Sequence, residues 1–221
     1  MAFPLTHLLV ADLILKELPF EHGAFLLGSI APDAVHHREG FRGAAMANIG
    51  AAKKITHLCP VSDEPWGKVT DNICWEEKVR DFLRENHTSK DSFMAGYAVH
   101  VLTDIFNNMG IWNDFRMNHP QEAAKGYTSD YYRDMKTIDI QLYHRAYKPN
   151  GIDARLNTAK ARGADGLVSE GEVAAIRDSL LRQYDGVGDI ADEKYSFVSY
   201  DEVMKFMRDA ADYCVGVLSM L

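Results

Sequence analysis

Between Phe93 and Phe106 the chain is almost wholly apolar, and its ionisable exceptions are His100 and Asp104. Four residues apart in a helical run, these two side chains share one face and lie one turn from each other. Such a helix has to be covered on every side, so it dictates a core around itself. An unpaired charge inside that core costs on the order of several kcal/mol. Two solutions exist. The histidine and the carboxylate are satisfied by core hydrogen bonds, or they share a divalent cation that accepts the imidazole lone pair and stabilises the carboxylate.

Three other segments offer ligand types of the same kind in apolar or small-residue surroundings: Thr6-His7, Pro32-Asp33 and Thr56-His57. Each has an ordinary reading alone: a helix-terminal histidine, a turn carboxylate after proline, a satisfied half-buried histidine. Together they supply imidazole and carboxylate groups suited to zinc and related metals. Thr6 and Thr56 precede their histidines and serve either as orienting donors or as caps.

Periodicity and capping predict an all-α chain. Helices are expected over 6–18, capped by Thr6 and closed by Pro19, and over 21–31, stopped by Pro32. Residues 36–52 read as a glycine-bearing loop, and Lys53 to Cys59 as a short lead into a polar connection. An amphipathic helix spans 71–86. Thr88 to Asp91 forms a capping box ahead of the apolar helix. Residues 110–126 read as a surface insertion, and 127–147 as a helix ended by Pro149-Asn150-Gly151. The stretch 150–195 is irregular apart from a helix near 169–184. Capping boxes at Ser169/Glu172 and Ser199/Glu202 open the last two helices. No repeat is visible, and 1–221 is read as a single helical metal-binding domain.

A formal charge of −8 over 221 residues argues against a nucleic-acid surface. A small phosphate-bearing substrate remains compatible, because bound metal inverts the local field. Three cysteines, Cys59, Cys74 and Cys214, make no disulfide framework, and Cys59 reads as a buried thiol rather than a ligand. There is no signal-peptide pattern and no transmembrane run, so the expected setting is the cytoplasm. His36 and His37 follow Asp33 and either approach the mouth of the site or, the preferred reading, lie exposed on a glycine-rich loop. Trp66, Trp112 and Tyr127 read as loop anchors, or else as an apolar lip for a lipid-like substrate.

Four segments in this order resemble the zinc-dependent phospholipase C family, which is related in fold to S1/P1-type nucleases. They are Pro4-Leu-Thr-His7, Phe25-Leu-Leu-Gly-Ser-Ile-Ala-Pro-Asp33, Lys54-Ile-Thr-His57 and Gly96-Tyr-Ala-Val-His-Val-Leu-Thr-Asp104. The resemblance implies a multi-helix bundle of the phospholipase C/P1 nuclease type holding two or three zinc ions. It implies one zinc on Asp33, His57, His100 and Asp104. A second would lie on His7 and the bridging Asp104. Asp33 would be both ligand and candidate catalytic base toward the attacking water. The family's H-x-x-x-E pair, which helps hold a further zinc, does not occur after Asp104; His119, Asp134 and Asp139 are the nearest replacements. The function implied is a zinc-dependent phosphoesterase acting on a small phosphoester or phospholipid-like substrate through metal-activated water. The alternative is a non-catalytic helical module with a residual structural or ligand-binding metal site.

Overall fold

The computed structural model describes residues 3–41, 46–60, 64, 66–86, 90–191 and 194–220. Among them the regular structure is entirely helical, with one isolated bridge between Ala164 and Val168. The all-α expectation therefore holds.

The central element is α5, Ser92–Met109, the predicted apolar helix. Asp91 caps it, its carboxylate accepting from the amides of Phe93 and Met94. Every residue from Phe93 to Ile105 is buried. Thr88 and Ser89 of the expected capping box lie outside the described residues. Around α5 pack α1 (Pro4–Ile14), α2 (His22–Gly28), α4 (Asn72–Glu85), α6 (Ile111–Asn118) and α11 (Tyr200–Leu218). The boxes at Ser169 and Ser199 form as expected, opening α10 (Glu170–Arg182) and α11.

The tightest crossing is between α2 and α5. A Cβ on Gly28 would stand 2.0 Å from the carbonyl oxygen of Phe93, and one on Gly96 2.1 Å from that of Phe25. Two glycines thus let two backbones touch, and this contact sets the depth at which α2 enters the core.

Several boundaries differ from the sequence reading. α1 starts at Pro4, not Thr6; proline at the first helical position lacks only an amide hydrogen that a helix end leaves unused. Thr6 and His7 are consequently buried inside the helix. Pro32 does not stop a helix but lies in the first turn of a 3-10 helix, Ala31–His37. Much of the expected loop 36–52 is α3, Met46–Thr56, although 42–45 lie outside the described residues. One glycine in a helix costs only about 1 kcal/mol relative to alanine, and Ala51, Ala52, Lys53 and Lys54 beside Gly50 favour the helix. The expected insertion 110–126 holds α6 and the short α7 (Pro120–Ala123), and Phe115 ties it to the core by stacking on Tyr131 at 4.3 Å. α8, Asp130–Leu142, carries the third-metal candidates. α9, Ile152–Thr158, lies in the stretch read as irregular.

α1 is anchored to α9 by a buried carboxylate. Asp12 accepts from Arg155 Nη2 at 2.5 Å and from Asn150 Nδ2 at 3.1 Å, with Lys16 Nζ at 3.3 Å. Removing the guanidinium leaves Asp12 two weaker partners. Arg155→Met is therefore expected to lower stability by about 2 kcal/mol, read as an earlier urea midpoint. An unchanged midpoint would show that the other partners suffice.

Candidate metal centre

Each of the five residues predicted to share a site is placed by a separate local device. The α2–α5 glycine contact brings the carbonyl of Ser29 onto α5, where it accepts from His100 Nδ1 at 2.8 Å. Because a carbonyl only accepts, the ring hydrogen sits on Nδ1, and Nε2 presents a lone pair when the ring is neutral. His57 follows α3. Its Nδ1 donates to the carbonyl of Lys53 at 2.9 Å and lies 3.0 Å from Thr56 Oγ1, so its Nε2 is likewise the acceptor. The chain then turns through Leu58 in the left-handed region, with a φ of 53°. The amides of Leu58 and Cys59 return to the carbonyls of Ile55 and Lys54, a Schellman closure. Trp75 Nε1 donates to the His57 carbonyl at 2.7 Å, and Tyr97 Oη to that of Thr56 at 2.5 Å. The end of α3 is thus held from both α4 and α5.

The two Nε2 atoms meet 3.3 Å apart, and with both rings neutral each turns a lone pair toward the other. Nearby, Asp33 Oδ1 is 3.5 Å and Asp104 Oδ2 is 3.7 Å from His57 Nε2. Asp104 Oδ2 is also 4.0 Å from His100 Nε2. On the other side His7 stacks flat on His100, centroids 3.7 Å apart, with its Nε2 3.6 Å from Asp104 Oδ1. Neither ring nitrogen of His7 has a hydrogen-bond partner among the described residues, although the residue is 1% exposed. The donors form two overlapping groups, His7/His100/Asp104 and Asp33/His57/His100.

Facing lone pairs repel unless a cation lies between them. A proton is one such cation, but burial opposes it: desolvation pushes His57 down to about 4 and His7 down to about 3. The carboxyls go the other way. Burial alone would raise Asp33, but the Lys53 ammonium 3.0 Å from its Oδ1 holds it well below the usual range, with the rings of His36 and His57 beside it. Burial likewise acts to raise Asp104, yet the three histidines around it bring it below its ordinary value. A neutral His57 and His7 beside ionised carboxylates are protonation states that a divalent metal requires. Two ligand atoms about 2.0–2.1 Å from a tetrahedral zinc stand roughly 3.3–3.4 Å apart, a spacing the paired Nε2 atoms already have.

Lys53 belongs to the same site, although the sequence marks it only as the start of a short lead into a polar connection. It is 4% exposed, its Nζ 3.0 Å from Asp33 Oδ1, 3.1 Å from His36 Nε2 and 5.2 Å from the Trp66 ring centroid. The available signal was its position four residues before His57, on the same face of α3.

The third-metal candidates are not brought to this cluster. Asp134 accepts from the amides of Ser196 and Phe197, at 2.8 and 2.7 Å, and so closes the turn that leads into α11. Asp139 accepts from the hydroxyl of Tyr184. His119 packs on Phe115 and Phe197. Of the lip candidates, Tyr127 is exposed beside Tyr132, whereas Trp66 lies edge-on to His57 and Trp112 packs on Tyr131. Cys59 is half-buried and belongs to neither donor group.

No protein-family model, curated protein or solved structure matches this chain.

Proposed function

We propose that the cluster is a zinc centre and that the protein is a metal-dependent phosphoesterase. One observation carries this reading: two imidazole Nε2 atoms are held 3.3 Å apart by carbonyls on the far sides of their rings, with two carboxylates alongside. Asp33, His57, His100 and Asp104 would hold one ion. His7 and the second oxygen of Asp104 would hold another. Zinc in such a site supplies Lewis acidity toward a phosphoryl oxygen and a water nucleophile at neutral pH.

The protein's own groups do the rest. The carbonyls of Ser29 and Lys53 fix both rings, so ligand geometry needs no reorganisation. Asp33 is 14% exposed and stands where the cluster meets a cavity, placed to orient the attacking water and accept its proton. Asp104, on α5, is 3% exposed. The four segments that resemble zinc-dependent phospholipases C support the same assignment and a bundle of that type. A cytoplasmic setting is part of this reading, supported by three cysteines that are all free. No helix among the described residues is long and apolar enough to cross a membrane.

The test is metal content together with turnover. Purified protein is expected to hold at least one zinc and to hydrolyse a chromogenic phosphodiester or phosphomonoester in a chelator-sensitive way. His57→Gln should lose metal and turnover together. Tightly held zinc with no turnover on either ester class would instead mean a closed structural site.

A further inference from the structure

Beside the cluster, on the Asp33 side, lies a cavity of about 260 Å³. Its polar end is formed by Asp33, His36, His37 and Lys53. Its other wall is mainly apolar, with Phe3 and Pro4 at the start of α1, Tyr127 and Tyr132 before and on α8, and Ile176 and Leu180 on α10, where Ser179 and Gln183 add two polar side chains. The nearly buried ammonium of Lys53 is difficult to explain as part of a metal site alone. It leans on Asp33, a carboxylate that the metal would need, and so competes with the metal. Once a divalent cation draws on that carboxylate, the floor of the cavity carries surplus positive charge. Lys53 is a point-charge donor whose Nζ also reaches His36 Nε2, and no arginine fork is among the described residues that line the cavity. A compact ammonium lacks the planar fork that matches a carboxylate, and so suits a tetrahedral oxyanion. The volume falls below the roughly 300–1,000 Å³ of sites for drug-sized ligands, so the apolar wall accommodates one ring or one short chain.

We propose that this cavity binds a phosphoryl oxyanion carried on a single small apolar group, with Lys53 as the residue that receives the anion. The proposal rests on the cluster being a cation site, and it narrows the substrate to a small aryl or short-alkyl phosphoester rather than a two-chain lipid.

Phenylphosphonate, a non-hydrolysable probe, tests it by calorimetry on zinc-loaded protein. The wild type is expected to bind phenylphosphonate at least tenfold more tightly than inorganic phosphate or phenylacetate. Lys53→Met should weaken phenylphosphonate at least tenfold while holding zinc as tightly as the wild type or more so, because a competitor for Asp33 is gone. Lys53→Arg should stay within about threefold, which also covers the case in which the methionine variant does not fold. Tyr127→Ala, at an exposed rim position, should weaken phenylphosphonate and leave phosphate unchanged. Binding that is indifferent to Lys53→Met, or phosphate or phenylacetate binding as tightly as phenylphosphonate, would overturn the proposal. Lys53-dependent binding without ester turnover would sink the esterase reading alone. Turnover with a KM unmoved by Lys53→Met would sink this inference alone.

Discussion

Gly96→Ala is expected to destabilise the protein by about 3 kcal/mol and to lower the affinity of the proposed zinc centre together with stability. Replacing glycine by alanine inside a helix would ordinarily gain about 1 kcal/mol. Here the new methyl group would meet the carbonyl oxygen of Phe25 at 2.1 Å. That oxygen is backbone and cannot turn aside as a flexible side chain would. Relief requires α2 and α5 to separate by about 1 Å, and overpacking of this kind typically costs 1–3 kcal/mol or more. The same displacement withdraws the Ser29 carbonyl from His100 Nδ1, so the ring loses the contact that fixes its tautomer. Gly28→Ala meets the Phe93 carbonyl oxygen at 2.0 Å and should behave alike. Because one separation relieves both clashes, the double variant should cost clearly less than the two single losses combined. Urea midpoints and zinc titrations of the three variants decide the matter. A Gly96→Ala protein as stable as the wild type would mean that the helices do not touch there.

Legibility in the sequence followed the range of the forces involved. The His100–Asp104 pair was readable because helical spacing alone puts the two on one face and the surrounding run requires burial. α5 and the last two capped helices were readable for the same local reason. The gathering of His7, Asp33 and His57 around that pair was suggested by residue type and by a resemblance, and the structure places them together. What holds them was not readable. The Gly28–Gly96 contact joins residues far apart in the chain, and either glycine alone reads only as a weak point in a helix. Lys53 is a lysine among helix formers until α3 packs beside Asp33. Thr6 looked like a cap because a hydroxyl ahead of an apolar run usually is one, but Pro4 starts the helix sooner. Buried carboxylates on α8 posed the hardest choice. An acidic residue in an apolar stretch signals a partner without naming it, and the partners of Asp134 and Asp139 lie on segments more than forty residues away.

Asp139 gives the second large effect, with a sign that separates its two readings. Burial raises its carboxyl to about 7, and the hydrogen bond from Tyr184 only partly opposes this. In the unfolded chain the group titrates near 4. Between those values the folded protein keeps a proton that the unfolded chain releases. The stability contributed by this site therefore falls as the pH rises from about 4 to about 7, then stays level. The accumulated cost above pH 7 is on the order of 4 kcal/mol. Asp139→Asn keeps an acceptor for the Tyr184 hydroxyl and removes the ionisation. The stability difference between variant and wild type should therefore be near zero at pH 4.5 and should grow to several kcal/mol in favour of asparagine at pH 8. Taking that difference cancels the opposite acid dependence of Asp33 and Asp104, which both proteins share. A carboxylate that held a third zinc would respond the other way. Its amide would bind metal poorly, and the variant would be less stable at pH 8 in the presence of zinc. Urea denaturation at the two pH values, with and without added zinc, therefore shows whether Asp139 is a buried acid held neutral by its surroundings or a metal ligand.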